Sequence, residues 1–291
     1  MSEWLNTMKS LIQLPWKKLA LDLNEQIGKD NVFNGAATLG FYLTLAIFPA
    51  LIFLLSMLPY LPIPRLDQAI MDLLSQALPP EAASMLEDTV QRIATKRQGG
   101  LLSLGFLGTL WAASMGMYAV MQQLNITYNV KEARPFIKAR SIALLLTLLF
   151  GMLVIGVFAL IVMGGIVQDW LAEFVGRHQV LLTFFALLRW VIIVGALLLG
   201  FDLIYYLAPN VQRKYRWITA GAVFGVTVML LASLGFRFYI MHFADYEATY
   251  GALGGMIVLM LWLYVAGLVF LVGSEINVVL EQHLSKKGAA Q

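Results

Sequence analysis

The sequence predicts an all-α integral membrane protein with six transmembrane helices, both termini cytoplasmic, and an amphipathic helical hairpin on the outer side between spans 1 and 2. Three observations lead there. Of the 291 residues 60% are hydrophobic and 13% charged, where soluble domains carry about 25% charged residues. Six stretches are free or nearly free of charge, each long enough as a helix to cross a hydrocarbon core of about 30 Å. Lysine and arginine are distributed unevenly between alternate loops. The apolar stretches are too continuous for barrel strands, which would alternate in polarity over about ten residues.

Taken in order, the first span lies between Asp30 and Arg65, the second between Arg97 and Lys131, and the third between Arg140 and Asp169. The fourth runs from His178 to Arg213 and contains Arg189 and Asp202. The fifth, Arg216 to His242, contains Arg237, and the sixth, Glu247 to Glu281, contains Glu275. Thirteen basic residues fall on the side of the termini and five on the other, so the termini are expected in the cytoplasm. The division is then a cytoplasmic amphipathic segment 1–30, a six-helix domain 31–282 with the outer segment 65–98, and a cytoplasmic tail 283–291. The segment before Asn31 contains no compact apolar core followed by a small-residue cleavage site, so the first span is expected to serve as its own insertion signal.

Residues 3–27 read as two short amphipathic helices broken at Pro15. Trp4, Met8, Leu11 and Ile12 share a face in the first, and Leu19, Leu23 and Ile27 do so in the second. Such helices suit the inner leaflet or a place on the cytoplasmic loops. Pro49 inside the first span removes one backbone bond and is expected to kink it. In 65–98, two apolar stripes separated by Pro79 and Pro80 predict the outer hairpin. Gly221 and Gly225 form a GxxxG, and Ala112 and Gly116 a small-xxx-small pair; both predict close helix packing, and a homo-oligomer is compatible with them. The second and sixth spans share a central tryptophan, Trp111 and Trp262, followed about four helical turns further on by Asn125 and Asn277.

Enzyme chemistry finds no support. The three histidines, His178, His242 and His283, stand apart, and cysteine is absent, so no metal site or cofactor is expected. There is no GxxxxGK[ST] loop for nucleotide phosphates and no GxSxG elbow. The basic residues follow topology and form no stretch suited to nucleic acid.

The charges inside the spans are therefore the candidate site residues, and depth decides their meaning, because a charge at mid-membrane costs several kcal/mol. Glu275 lies well past Gly251 in the same span, about 36 Å along a straight helix. Asp202 lies almost as far past Val180, roughly 33 Å. Both are expected at the inner ends, near Arg134, Arg140, Arg213, Lys214 and Arg216, as parts of a charge network. Tilt, or a re-entrant "YGALGG" turn, would instead draw Glu275 inward toward a proton or substrate role. Arg237, about 30 Å from Trp217, is expected at the outer boundary. Arg189, about 13 to 14 Å past Val180, lies well inside with no carboxylate of the six spans at its depth. It needs an aromatic face, a route to headgroups, an acid from an outer loop, or the anionic head of a substrate.

"NGAATLGFYLTLAIFPALI", "LNITYNVKEARPF", "LIYYLAPN" followed by "RWITAGA", and "YGALGGMIVLMLWLYVAGLVFLVGSEINVVLE" together resemble the YihY/virulence factor BrkB family of bacterial inner-membrane proteins, once labelled ribonuclease BN-like. The resemblance covers about residues 30–282. It implies a six-helix inner-membrane protein and places Arg134, Tyr206, Pro209, Gly251 and Glu275 in family motifs, while Arg189 and Asp202 lie outside them. The resulting expectation is a carrier without its own ATPase for an anionic amphiphile or organic anion. Arg189 and Arg237 would bind substrate, Arg134, Asp202 and Glu275 would form the charge network, and membrane lipids would be its partners. The competing expectation is a scaffold for envelope biogenesis that transports nothing.

Overall fold

A computed structural model describes residues 16–57, 99–175, 179–211, 218–243 and 252–288. Among these residues all regular structure is helical: α1 (Trp16–Lys29), α2 (Val32–Met57), α3 (Gly99–Thr127), α4 (Phe136–Val175), α5 (Gln179–Leu207), α6 (Ala220–Phe243) and α7 (Ala252–Gly288). The amphipathic helix expected before Pro15, the outer hairpin 65–98, and Arg213, Lys214 and Arg216 lie outside the described residues.

Four described helices are long and apolar enough to cross a bilayer, with the qualifying stretches Ser103–Thr127, Phe136–Val157, Thr183–Leu207 and Gly255–Ser285. α2 and α6 contribute the shorter apolar stretches Val32–Ile47 and Ala220–Phe236. Polarity is inverted relative to a soluble globule. Leu145, Met152, Ile155, Phe184, Leu187 and Val191 face outward, while Asn125, Asp202, Ser274, Glu275 and Asn277 are buried. In water an exposed apolar surface of that extent would drive association; in lipid it costs nothing.

The chain divides into two compact units, Met1–Phe41 with Met117–Gln291, and Tyr42–Gly116. In the smaller unit α2 is helical straight through Pro49. A Cβ on Gly108 would stand 3.4 Å from the Pro49 Cβ, so the proline ring lies against a hydrogen-only surface of α3. Buried Ser114 turns its hydroxyl back to the Trp111 carbonyl at 2.7 Å, a local bond that satisfies it inside an apolar helix.

In the larger unit Met121 and Leu124 of α3, Ala143 and Leu146 of α4, Phe201, Ile204 and Tyr205 of α5, and Ala222 and Val226 of α6 converge in one core. Glycine decides how closely the helices cross. A Cβ on Gly221 would collide with the Gly273 carbonyl, so α6 and α7 touch backbone to backbone there. A Cβ on Gly225 would overlap the Phe201 ring. The two glycines of the GxxxG thus serve two different neighbours, α7 and α5. α2 crosses α7 where Gly267 lies against the Ala36 carbonyl.

α1 packs on a helix of the bundle and not on a loop. Leu19 and Leu23 close over Val279 and Leu280 of α7, and Asp22 meets His283 Nε2 at 3.2 Å. The chain then reverses at Asn31, whose φ of 51° is a conformation asparagine tolerates better than most residues. α3 ends in a full Schellman motif. Asn129 also has φ 51°, Val130 N–H donates to Asn125 O at 2.9 Å, and Asn129 N–H donates to Ile126 O at 2.9 Å.

Candidate functional site at the buried helix ends

Three polar groupings lie at the C-terminal ends of α3 and α5, the start of α6, the α1–α2 turn and the second half of α7. In the first, the guanidinium of Arg134 grips Glu132 with both prongs, Nε to Oε1 at 2.7 Å and Nη2 to Oε2 at 2.7 Å. The Arg134 N–H adds a bond to Oε1 at 3.0 Å, and Nη2 also reaches the Ala208 carbonyl at 2.8 Å. Asn125 bridges the same elements, donating to Glu132 Oε2 at 2.9 Å and accepting from Asn210 N–H at 2.7 Å. The motifs "LNITYNVKEARPF" and "LIYYLAPN", distant in the sequence, are thus bonded to each other. The Arg134 bonds hold the Glu132 carboxyl below the usual carboxylate range, against the opposing effect of burial.

The second grouping begins α6. Thr219 caps the helix, its Oγ1 accepting from Ala222 N–H at 3.2 Å. Asn277 of α7 supplies a second cap from outside, with Oδ1 accepting from Gly221 N–H at 2.7 Å and Nδ2 donating to Thr219 Oγ1 at 3.1 Å. Asp202 Oδ1 accepts from Thr219 N–H at 3.1 Å and Oγ1–H at 2.6 Å. A carboxylate at a helix N-terminus also meets the positive end of the helix dipole. Here Asp202 organises a helix start.

The third grouping brings two acids together. Glu275 is wholly buried; its Oε1 accepts from Thr127 Oγ1–H at 2.9 Å, and its Oε2 is buried with no hydrogen-bond partner among the described residues. Ser274 Oγ lies 3.4 Å from Thr127 Oγ1 and donates to the Leu271 carbonyl at 2.7 Å. The carboxyl of Asp30, at the α1–α2 turn, comes within hydrogen-bonding reach of Glu275. Asp30 is 7% exposed, and its Oδ2 is also buried without a hydrogen-bond partner among the described residues. Burial pushes the Asp30 carboxyl above its usual range, more strongly than nearby Lys29 pulls it down.

The expected charge network is therefore distributed over three places. Arg134 bonds to Glu132 and not to Glu275, Asp202 bonds to Thr219, and Glu275 faces a second acid. Asp30 marks only the edge of an apolar stretch in the sequence. Glu132, Thr127 and Thr219 lie within the quoted motifs, which do not reveal their bonding partners, whereas the matched spacing of Asn125 and Asn277 was the visible trace of their bridging roles.

Arg189 lies on α5, half-buried, with Nε buried and without a hydrogen-bond partner among the described residues. One turn on, Ile192 is exposed and Ile193 buried, so Arg189 stands at the border between the core and the outward apolar face. Trp262, one candidate for an aromatic partner, has its ring 5.2 Å from that of Phe236. Arg237 is on α6, with its side chain outside the described residues. Among the described residues no three of His, Cys, Asp and Glu gather as a metal-binding group.

An inside-out helical bundle with polar helix ends defines the class, a membrane protein. The chain belongs to the Virulence factor BrkB family, whose profile matches residues 23–291. It is 37% identical over 252 residues to the ribonuclease-like protein YfkH of Bacillus subtilis, covering 87% of this chain and 90% of that protein. It is 27% identical over 281 residues to a UPF0761 membrane protein of Alkalilimnicola ehrlichii, covering 92% of this chain and 60% of that one. A UPF0761 membrane protein of Tolumonas auensis is 28% identical over 188 residues, covering 61% of this chain and 57% of that one. The chain thus spans nine tenths of the Bacillus protein and about three fifths of the other two. No solved structure matches it.

Proposed function

We propose that the protein is a multi-pass carrier of the bacterial inner membrane, with six spans and cytoplasmic termini, that moves an anionic amphiphile across the bilayer without an ATPase of its own. Arg189 carries this reading. A guanidinium costs too much in hydrocarbon without an anion or water beside it, and this one has an unpartnered Nε at the border of an apolar outward face. That border suits a molecule with an anionic head and an apolar tail, whose head would meet the arginine while its tail stays in lipid. An organic anion without a tail would use the same charge. The reading is non-enzymatic, and the ribonuclease-like name of the Bacillus relative is not carried over to this chain.

The test is transfer of fluorescent phosphatidylglycerol between leaflets of proteoliposomes, read by chemical quenching of the outer leaflet. Arg189→Gln is expected to slow transfer about tenfold, corresponding to the loss of about 1.4 kcal/mol of charge-assisted contact. Transfer of the zwitterionic choline lipid should change far less. Equal rates in Arg189→Gln and the unaltered protein would remove the site. A scaffold function is the second reading, favoured by the fully bonded Glu132–Arg134 clamp, and it predicts no transfer by either protein.

A further inference from the structure

We propose that Asp30 and Glu275 form one proton-binding couple, and that this couple links the carrier to the proton gradient. The proton-binding half is independent of the carrier reading above; the linkage rests on it.

The argument is one of donors and acceptors. Two carboxyl groups meet within hydrogen-bonding reach, and each retains a buried oxygen without a partner, Asp30 Oδ2 and Glu275 Oε2. The hydroxyl donors nearby are already engaged, Thr127 with Glu275 Oε1 and Ser274 with the Leu271 carbonyl. Acceptors exceed donors, and buried acceptors left unpaired are costly. A single proton turns one carboxylate into a donor toward the other and removes one negative charge from the pair. Like-charged carboxylates in contact share a proton for this reason.

Among the described residues the surrounding charges supply no other solution. Lys29 at the end of α1 is the cation that acts on both carboxyls, and it is exposed. α2 and α3 contain no charged residue. On α7 the nearest further charge is Glu281, another acid. On α1, Asp22 meets His283, and Lys17, Lys18 and Glu25 are exposed. Arg134 is committed to Glu132. The couple also has a direction of access: Glu275 is sealed and Asp30 retains a narrow exposed edge, so a proton from water enters through Asp30 and is held against Glu275. Asp30 sits on the turn between two helices and Glu275 on a third, so protonation changes the attraction between α7 and the α1–α2 turn.

The experiment is an infrared pH titration of the purified full chain in lipid, following the C=O stretch of protonated carboxyl groups. The unaltered protein should show a carboxyl band that persists above the pH at which ordinary carboxylates ionise. Asp30→Asn and Glu275→Gln should each abolish it, since each removes one member of the couple, while Glu132→Gln leaves it in place. Two single variants at different helices guard against one failing to fold. A band surviving in either variant, or one removed by sodium at constant pH, would overturn the assignment, the latter in favour of a monovalent cation. If the band behaves as expected and no lipid transfer occurs, the carrier reading fails and the proton site stands. If transfer occurs with no such band, the proton site fails alone.

Discussion

Glu132 and Glu275 both lie in family-resembling motifs at the same end of the helices, yet their surroundings differ in kind. Glu132 receives two guanidinium bonds, a backbone N–H and an asparagine amide. Glu275 receives one hydroxyl, and its other neighbour is an acid. A buried charge whose bonds are complete works as a fastener, because its removal leaves partners stranded. A buried acid left short of donors is expensive to the fold. The contrast teaches that residue type and motif membership do not reveal how a buried carboxylate is bonded; the donors placed around it do.

The largest expected effect comes from the shared backbone beneath the second and third groupings. Gly221→Ala places a methyl against the Gly273 carbonyl and the Asn277 amide, and neither backbone can yield cheaply. We expect a loss of about 3 kcal/mol and a displaced α7, measured as a fall in thermal unfolding temperature in detergent. Because Ser274 and Glu275 follow Gly273 directly, the infrared band should be perturbed too, while the Glu132 clamp, which has no bond to α7, should persist. An unchanged unfolding temperature would mean that the two helices do not touch as described.

Arg134→Ala is next. It strands the Glu132 carboxylate and the Ala208 carbonyl together, for an expected loss of about 2–3 kcal/mol. Arg134→Lys keeps the charge but not the planar fork and should recover about half of it. The same substitution should leave the Asp30–Glu275 band where it was. If Arg134→Ala shifts that band strongly, the fastener and the proton couple are one network and the comparison collapses.

Much of this architecture was legible in the sequence. The apolar stretches gave the helical class, the GxxxG gave close packing, and Pro135 and Asn129 stand in the short connection between α3 and α4. The cover over Glu275 was not legible, and the reason is local. Measured from Gly251 along a straight helix, Glu275 reaches the edge of the hydrocarbon, where water is expected. In the fold α7 continues to Gly288, and α1 closes over Val279 and Leu280, so Glu275 remains covered. Charge pairing was illegible for a related reason. Arg134 has a carboxylate next but one in the chain, that of Glu132, a local partner that outcompetes any acid on a distant helix because it adds little ordering cost. Asp30 looked like the end of an apolar run, and only the turn at Asn31 brings it against α7.

The smallest expected effect separates the two acids by the sign of their pH dependence. Glu132 has a folded-state pKa below its unfolded value, so its stabilisation is full above the unfolded value and is lost as pH falls through the folded one. Asp30 has a folded-state pKa above its unfolded value, so the folded form favours the proton, and this contribution is lost as pH rises through the folded value. Acid should therefore loosen the clamp and alkali the couple. Unfolding temperatures measured against pH should show Glu132→Gln flattening the acid limb and Asp30→Asn flattening the alkaline one, each by the equivalent of about 1 kcal/mol. Flattening of the same limb by both would make Asp30 an ordinary ionised carboxylate, and with it the distinction between a satisfied acid and a starved one would disappear.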